Sequence, residues 1–154
     1  MDDQRRKFCQ AGGLLVLGMA IPGCGSPANN TTDGGGQLAC GSSSAGAGVN
    51  IADVMENTAT LLTLQATRVF LCRDSKGVYA MDAACTHVGT DVNFVDTSSG
   101  FKCPLHGATY DFNGEKPTSP APSPLTHYLV CTTVSGTVVV DIDQPVAPSV
   151  RYRV

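Results

Sequence analysis

The chain has no tryptophan and few other aromatic residues. Any core it builds must lean on Val, Leu and Ile. Charge is scarce too: 15% of the 154 residues are Asp, Glu, Lys or Arg, and the formal net charge is −3. No basic run extends beyond Arg5-Arg6-Lys7. A phosphate-contacting surface needs clustered Lys and Arg, so nucleic acid is excluded as a partner. No repeat and no long amphipathic helical pattern is visible, which points away from helical architectures. The length suits one domain with its own core. Cysteine, by contrast, is in excess, with seven.

The N-terminus reads as an address. Gln4-Arg5-Arg6-Lys7-Phe8 sets a twin arginine before an apolar, Gly-rich run at 11–21. That run falls short of the roughly 20 apolar residues of a comfortable membrane span. A charged start, a short apolar middle and small residues at its end describe an export signal over 1–24. The arginine pair is similar to a twin-arginine signal, whose route carries proteins already folded. The stretch Ile21-Pro22-Gly23-Cys24 resembles a lipoprotein cleavage box, which would leave Cys24 lipidated. The expected location is the periplasmic side of a bacterial membrane, with a membrane tether through Cys24. Residues 25–48 are rich in Gly, Ser, Ala, Asn and Thr and read as a flexible tether. Cys40, within it, reads as an incidental exposed thiol or a scrambling-prone one.

From residue 49 the pattern is β. Residues 67–73 and 78–81 flank Ser75-Lys76-Gly77, a hairpin with Gly in the turn. Residues 128–134 and 137–142 flank Ser135-Gly136 in the same way. Short strand candidates lie at 101–103 and 108–112. The segment 55–64 is ambiguous between strand and helical turn. The expected class is all-β, a small sandwich or barrel, with a loop-built metal subdomain inserted at about 83–122 of a domain spanning 49–154. Cys72 and Cys131 each sit in an expected strand. They either bridge the strands, as export permits, or stay as buried free thiols.

Two stretches between the hairpins carry the chemistry: Cys85-Thr86-His87 and Cys103-Pro104-Leu105-His106-Gly107. Each offers one thiolate and one imidazole in a compact loop. Gly89 and Gly107 follow closely and let backbone approach a bound group. Pro104 pre-sets one turn. A tetrahedral zinc site uses the same donors, but zinc spacings pair Cys with Cys and His with His, whereas this chain alternates them. The joint pattern resembles the Rieske family of iron–sulfur proteins, over roughly 69–142. The resemblance implies a [2Fe–2S] cluster, one iron held by Cys85 and Cys103 and the other by His87 and His106. It further implies that Tyr110 bonds a cysteine sulfur, that Ser119-Pro120-Ala121-Pro122 covers the cluster, and that Gly89, Gly107 and Pro120 shape its surroundings.

Two departures bear on function. Quinol-oxidising members carry an extra Cys in each loop, joined as a disulfide; the matching positions here are Thr90 and Leu105. The family's Ser that bonds a bridging sulfide falls at Ala108. Fewer donors to electron-rich sulfur imply a potential in the middle or lower part of the family's range. The resemblance also implies exposed imidazole edges that couple electron to proton transfer. His127 is the only other His, and it reads as surface or satisfied core rather than as a ligand. Tyr79 and Phe112 read as packing, and Asp111 as a loop-fixing or solvent-facing carboxylate. With no further His, Asp and Glu group for oxygen activation, the expected function is one-electron transfer with a redox protein partner. The protein would be a free-standing exported carrier, or the iron–sulfur subunit of a larger oxidoreductase such as a molybdenum enzyme resembling arsenite oxidase. The alternatives are a quinol:cytochrome c reductase subunit and, from another class, a zinc-stabilised binding module.

Overall fold

A computed structural model of the chain describes residues 30–31, 40–41 and 44–154. The expected export signal at 1–24, with Cys24, lies outside the described residues. The described chain is almost entirely β. Its strands are β1 (Asn30–Thr31), β2 (Ala45–Asn50), β3 (Thr58–Leu64), β4 (Thr67–Asp74), β5 (Gly77–Asp82), β6 (Asn93–Asp96), β7 (Gly100–Lys102), β8 (Thr109–Tyr110), β9 (His127–Thr132), β10 (Thr137–Val146) and β11 (Arg151–Tyr152). One short 3₁₀ turn, Ile51–Asp53, follows β2.

Eight strands form one sheet, ordered β1-β11-β5-β9-β10-β2, with β4 and then β3 added on the other side of β5. The second sheet, β6-β7-β8, is the inserted subdomain and carries the second Cys-His loop. Both expected hairpins form, as β4–β5 and β9–β10. The ambiguous segment 55–64 becomes β3, paired along its length with β4. There it gains backbone partners that a lone helical turn would lack.

Strands β4 and β5 explain their own composition. Val69, Leu71, Val78 and Ala80 face one core with Val130, Val138 and Val140. Phe70, Cys72, Tyr79 and Met81 face the other, which also holds Cys85, Cys103, Ala108 and Tyr110. Burial on both faces turns the usual alternation into continuous apolar runs. These two strands therefore join the barrel to the metal subdomain. In the subdomain, Gly100 (φ +70°) lets β7 approach the next turn: a Cβ there would lie 2.0 Å from the Tyr110 carbonyl oxygen.

Arg151 on β11 fastens the two parts from behind. It is 6% exposed. Its Nε donates to Asp74 Oδ2 at 3.0 Å, and Nη1 donates to the carbonyls of Pro148 and Val150. Its Nη2 donates to Asn113 Oδ1. The guanidinium lies 3.8 Å from the centroid of the Tyr79 ring. On the same ring stacks His127, whose Nε2–H donates to the Asn113 carbonyl at 2.8 Å. Of the two readings left open for His127, surface or core, the structure selects the core. Asp111 fixes the loop, accepting from the amides of Asn113 and Glu115 and pairing with Lys116.

The expected tether needs revision in its described part. Cys40 and Cys131 form a disulfide with Cα atoms 6.0 Å apart. The Gly41 amide donates to the buried Asp141 carboxylate at 2.8 Å. Residues 45–48 belong to β2, held antiparallel on β10. Composition suggested freedom here, but the disulfide and strand pairing supply the ordering energy that apolar burial does not. A Cys72–Cys131 bridge is excluded: Cys131 pairs with Cys40, and Cys72 stays a buried free thiol, its pKa driven up by desolvation.

Two measurements check these assignments. The bond separates residues 91 apart in sequence, so Cys40→Ser should cost about 2–5 kcal/mol and lower the thermal midpoint by roughly 10 °C. Added reductant should reproduce that loss in the parent and do nothing further to the variant. Burial holds the His127 pKa below its ordinary value, despite the Asn113 hydrogen bond. The neutral ring then contributes stability that is present above the ordinary value of about 6.5 and is lost as pH falls below it. Unfolding curves from about pH 7 down to pH 5 should show a loss of stability that is smaller in His127→Gln.

Candidate metal centre

The two Cys-His loops share one backbone design. In the first, the Gly89 amide donates to the Cys85 carbonyl at 2.8 Å and the Cys85 amide to the Thr90 carbonyl at 2.8 Å. In the second, the Gly107 amide donates to the Cys103 carbonyl at 3.0 Å and the Cys103 amide to the Ala108 carbonyl at 2.7 Å. Each turn closes on a Gly four residues after its Cys, with φ of +78° and +75°. Most side chains resist that conformation. The symmetry breaks only at the imidazoles, two residues after Cys85 and three after Cys103.

The turns bring all four expected ligands into one region, in two layers. Cys85 and Cys103 are each 1% exposed. Their thiols lie side by side, and the Cys103 hydrogen bond is one of the influences on Cys85. His87 and His106 are exposed, with ring centroids 4.8 Å apart and Nδ1 atoms facing each other at 3.2 Å. Two nitrogens on one tetrahedral metal ion at ~2.1 Å would stand about 3.4 Å apart. Among the described residues, no three His, Cys, Asp or Glu side chains gather around a single point. A sulfur pair below a nitrogen pair fits two metal positions.

The sulfur layer is dry but well supplied with donors. Burial pushes the Cys85 thiol pKa up. The Tyr110 hydroxyl, the His87 amide, the Cys103 thiol and the Val88 amide together pull it below its ordinary value. The thiolate is the ligating form, so these donors favour the state of Cys85 that binds metal. Tyr110 sits 3.4 Å from Cys85 Sγ and accepts from the Thr86 amide at 3.1 Å. Desolvation and the neighbouring Cys85 raise its own pKa. Thr86 Oγ1 donates to the Ser123 carbonyl at 2.8 Å. That bond pins the proline-rich segment beside the first loop. Ala121 packs in the same core as both thiols, Pro120 is half-buried, and Ala108 is fully buried with no hydroxyl to offer.

Sequence reasoning did not single out Arg151, Asn113 or Thr86, which position these groups. Thr86 lies inside the first motif and was legible by place. Arg151 and Asn113 had no local signal, because their contact joins residues 38 apart.

The description "Rieske [2Fe-2S] domain" matches residues 48–129, more than half of the chain. The chain belongs to that family and carries one [2Fe–2S] cluster. A cytochrome b6-f complex iron-sulfur subunit of Chlorobaculum thiosulfatiphilum is 33% identical over 76 residues, which cover 49% of this chain and 42% of that protein. The same subunit from Synechococcus sp. (strain JA-2-3B'a(2-13)) is 28% identical over 131 residues, covering 80% of this chain and 75% of that one. Among solved structures, the ferredoxin of carbazole 1,9a-dioxygenase from Nocardioides aromaticivorans IC177 aligns with a TM-score of 0.49 at 23% identity, over 64% of this chain and 97% of that one. The chain thus spans less than half the length of the first of these relatives.

Proposed function

We propose that the protein transfers single electrons, with Cys85 and Cys103 holding one iron of the cluster and His87 and His106 the other. The layered geometry supports this reading: buried, paired thiols beneath exposed imidazoles whose Nδ1 atoms converge. When bound, the cluster supplies a one-electron couple. The chain does the rest. Cys85 and Cys103 keep the inner end dry. Donors from Tyr110 and the loop amides offset the negative charge gathered on sulfur. His87 and His106 carry the outer end to the surface, where a partner can approach.

The partner is a redox protein. Export to an oxidising compartment is supported by the Cys40–Cys131 disulfide, because such bonds rarely persist in the cytosol. Lipid attachment at Cys24 would place the domain at the membrane surface. Among the described residues, no helix is long and apolar enough to cross a membrane. A quinol-oxidising subunit is the second reading, favoured by the cytochrome b6-f relatives. The missing loop disulfide and the missing hydroxyl at Ala108 favour the carrier or oxidoreductase-subunit reading, with a potential in the family's middle or lower range.

Metal and acid-labile sulfide analysis, with electron paramagnetic resonance of the reduced protein, tests the site. Two irons, two sulfides and an average g value below that of all-Cys clusters are expected. Zinc in their place ends the reading. Redox titration tests the donors. A hydrogen bond that favours the reduced form by about 1–1.5 kcal/mol corresponds to roughly 40–60 mV in a one-electron couple. Tyr110→Phe should lower the potential by that order, and Ala108→Ser should raise it. A high potential in the parent, like that of respiratory subunits, would contradict the ranking.

A further inference from the structure

A cavity of about 690 Å³ lies at the end of the β4–β5 hairpin away from the Cys-His loops. The first loop follows β5 after Asp82, whereas the cavity is built on the turn that precedes Gly77. A six-residue strand separates the two by about 20 Å. Charge is unevenly placed there. Among the described residues, four of the seven Lys and Arg side chains line this cavity: Arg73, Lys76, Arg151 and Arg153. Only two of the ten side-chain carboxylates do so, Glu56 and Asp74. Asp74 is already engaged, accepting from the Lys76 and Gly77 amides and from Arg151 Nε. Its charge is offset by that buried guanidinium. Glu56 is exposed and makes no ion pair among the described residues.

The lining is held in place by the fold itself. Arg73 Nη1 donates to the Val54 carbonyl at 2.9 Å, which fixes the half-buried guanidinium and leaves its other N–H groups for the cavity. Lys76 sits on a turn locked by Asp74 and pressed against β11: a Cβ at Gly77 would lie 2.3 Å from the Tyr152 carbonyl oxygen. The Ser75 and Ser149 hydroxyls line the same space and have no protein partner among the described residues.

We propose that this cavity binds a multiply charged oxyanion, with Arg73 and Lys76 as its charged contacts and Ser75 and Ser149 as neutral donors. Arg offers a planar fork that matches carboxylate or phosphate oxygens, and Lys offers a point charge. The chain as a whole carries −3 and repels such a ligand, so binding depends on this local cluster. A free polycarboxylate, a free phosphate and the headgroup of an anionic lipid all present the same oxygens. Bound there, the ligand leaves His87 and His106 uncovered. The site is therefore compatible with electron transfer and does not rest on it.

Calorimetric titration of the full-length holoprotein with citrate and with inorganic phosphate, at constant ionic strength in chloride, tests the site. Saturable binding is expected, with amide resonances of Lys76 and Gly77 shifting along the same curve. A charge-assisted hydrogen bond is worth roughly tenfold in affinity, so Lys76→Gln and Arg73→Gln should each weaken binding by about that factor. Lys76 is exposed on a turn, and its variant should keep the parent's thermal midpoint. Glu56→Gln removes a repulsive charge and should tighten binding severalfold, a sign that misfolding does not produce. Lys116→Gln, outside the cavity, should bind as the parent does. Iron content and g values should be unchanged in every variant. Flotation with phosphatidylglycerol but not phosphatidylcholine vesicles, lost in Lys76→Gln, would assign the oxyanion to a lipid headgroup. Saturation by citrate or phosphate without flotation would assign it to a free ligand. Absence of both saturable heat and flotation overturns the proposal. So does binding that Lys76→Gln and Glu56→Gln leave at the parent's affinity, since the anion would then sit elsewhere.

Discussion

Two thiols must sit together, out of water, and still be ready to carry negative charge. Everything else in this molecule answers to that constraint. Burial alone would drive the Cys85 pKa up and hold the sulfur protonated. Fixed donors reverse the outcome, and each needs its own support. The His87 and Val88 amides point at the sulfur because the turn closes on Gly89. The Tyr110 hydroxyl reaches it because β8 is paired to β7 and because Thr86 donates to that hydroxyl. Cys72 shows the contrast within the same core. It lies far deeper in the protein, away from the loop ends, and desolvation drives its pKa far up despite the nearby Tyr79 hydroxyl. At Cys85, nearer the surface, desolvation is weaker and four donors converge, so the balance falls the other way.

The fold places this pocket through strands that have no solvent face. Strands β4 and β5 pack on the barrel core with one set of side chains and on the metal subdomain with the other. Arg151 closes the far side by tying Asp74, at the β4–β5 turn, to Asn113, just beyond Tyr110. Removing a partner from so buried a set leaves charge without compensation, which is usually more costly than the pair is worth. The subdomain is therefore fastened along its strands and again at Arg151. Docking forces on the exposed imidazoles would be passed to the whole barrel rather than absorbed by the loops.

Much of this was legible in the sequence because the chemistry is local. Ligand spacing, the glycines that end each turn and the strand hairpins all lie within a few residues of one another. The strand β3 was not legible, since a Leu-Leu pair among threonines reads equally well as strand or turn until β4 is beside it. Arg151, Asn113 and the Cys40–Cys131 bond were not legible for a different reason. Each depends on a contact between residues far apart in sequence, and for the bond composition argues the other way, since a Gly-rich segment predicts freedom.

The Cys40–Cys131 bond changes what the N-terminal segment can do. A free tether reaching to residue 48 would let the domain sweep a wide volume, with reach growing as the square root of its length. In the structure the chain is covalently fixed at Cys40, and Asn30–Thr31 already pairs with β11. The described residues from Cys40 onward therefore belong to the fold and add nothing to the domain's reach. Reach in a tethered domain comes from chain that is free of the fold, and the segment that composition reads as a swinging arm is, in its described part, an edge strand of the sheet.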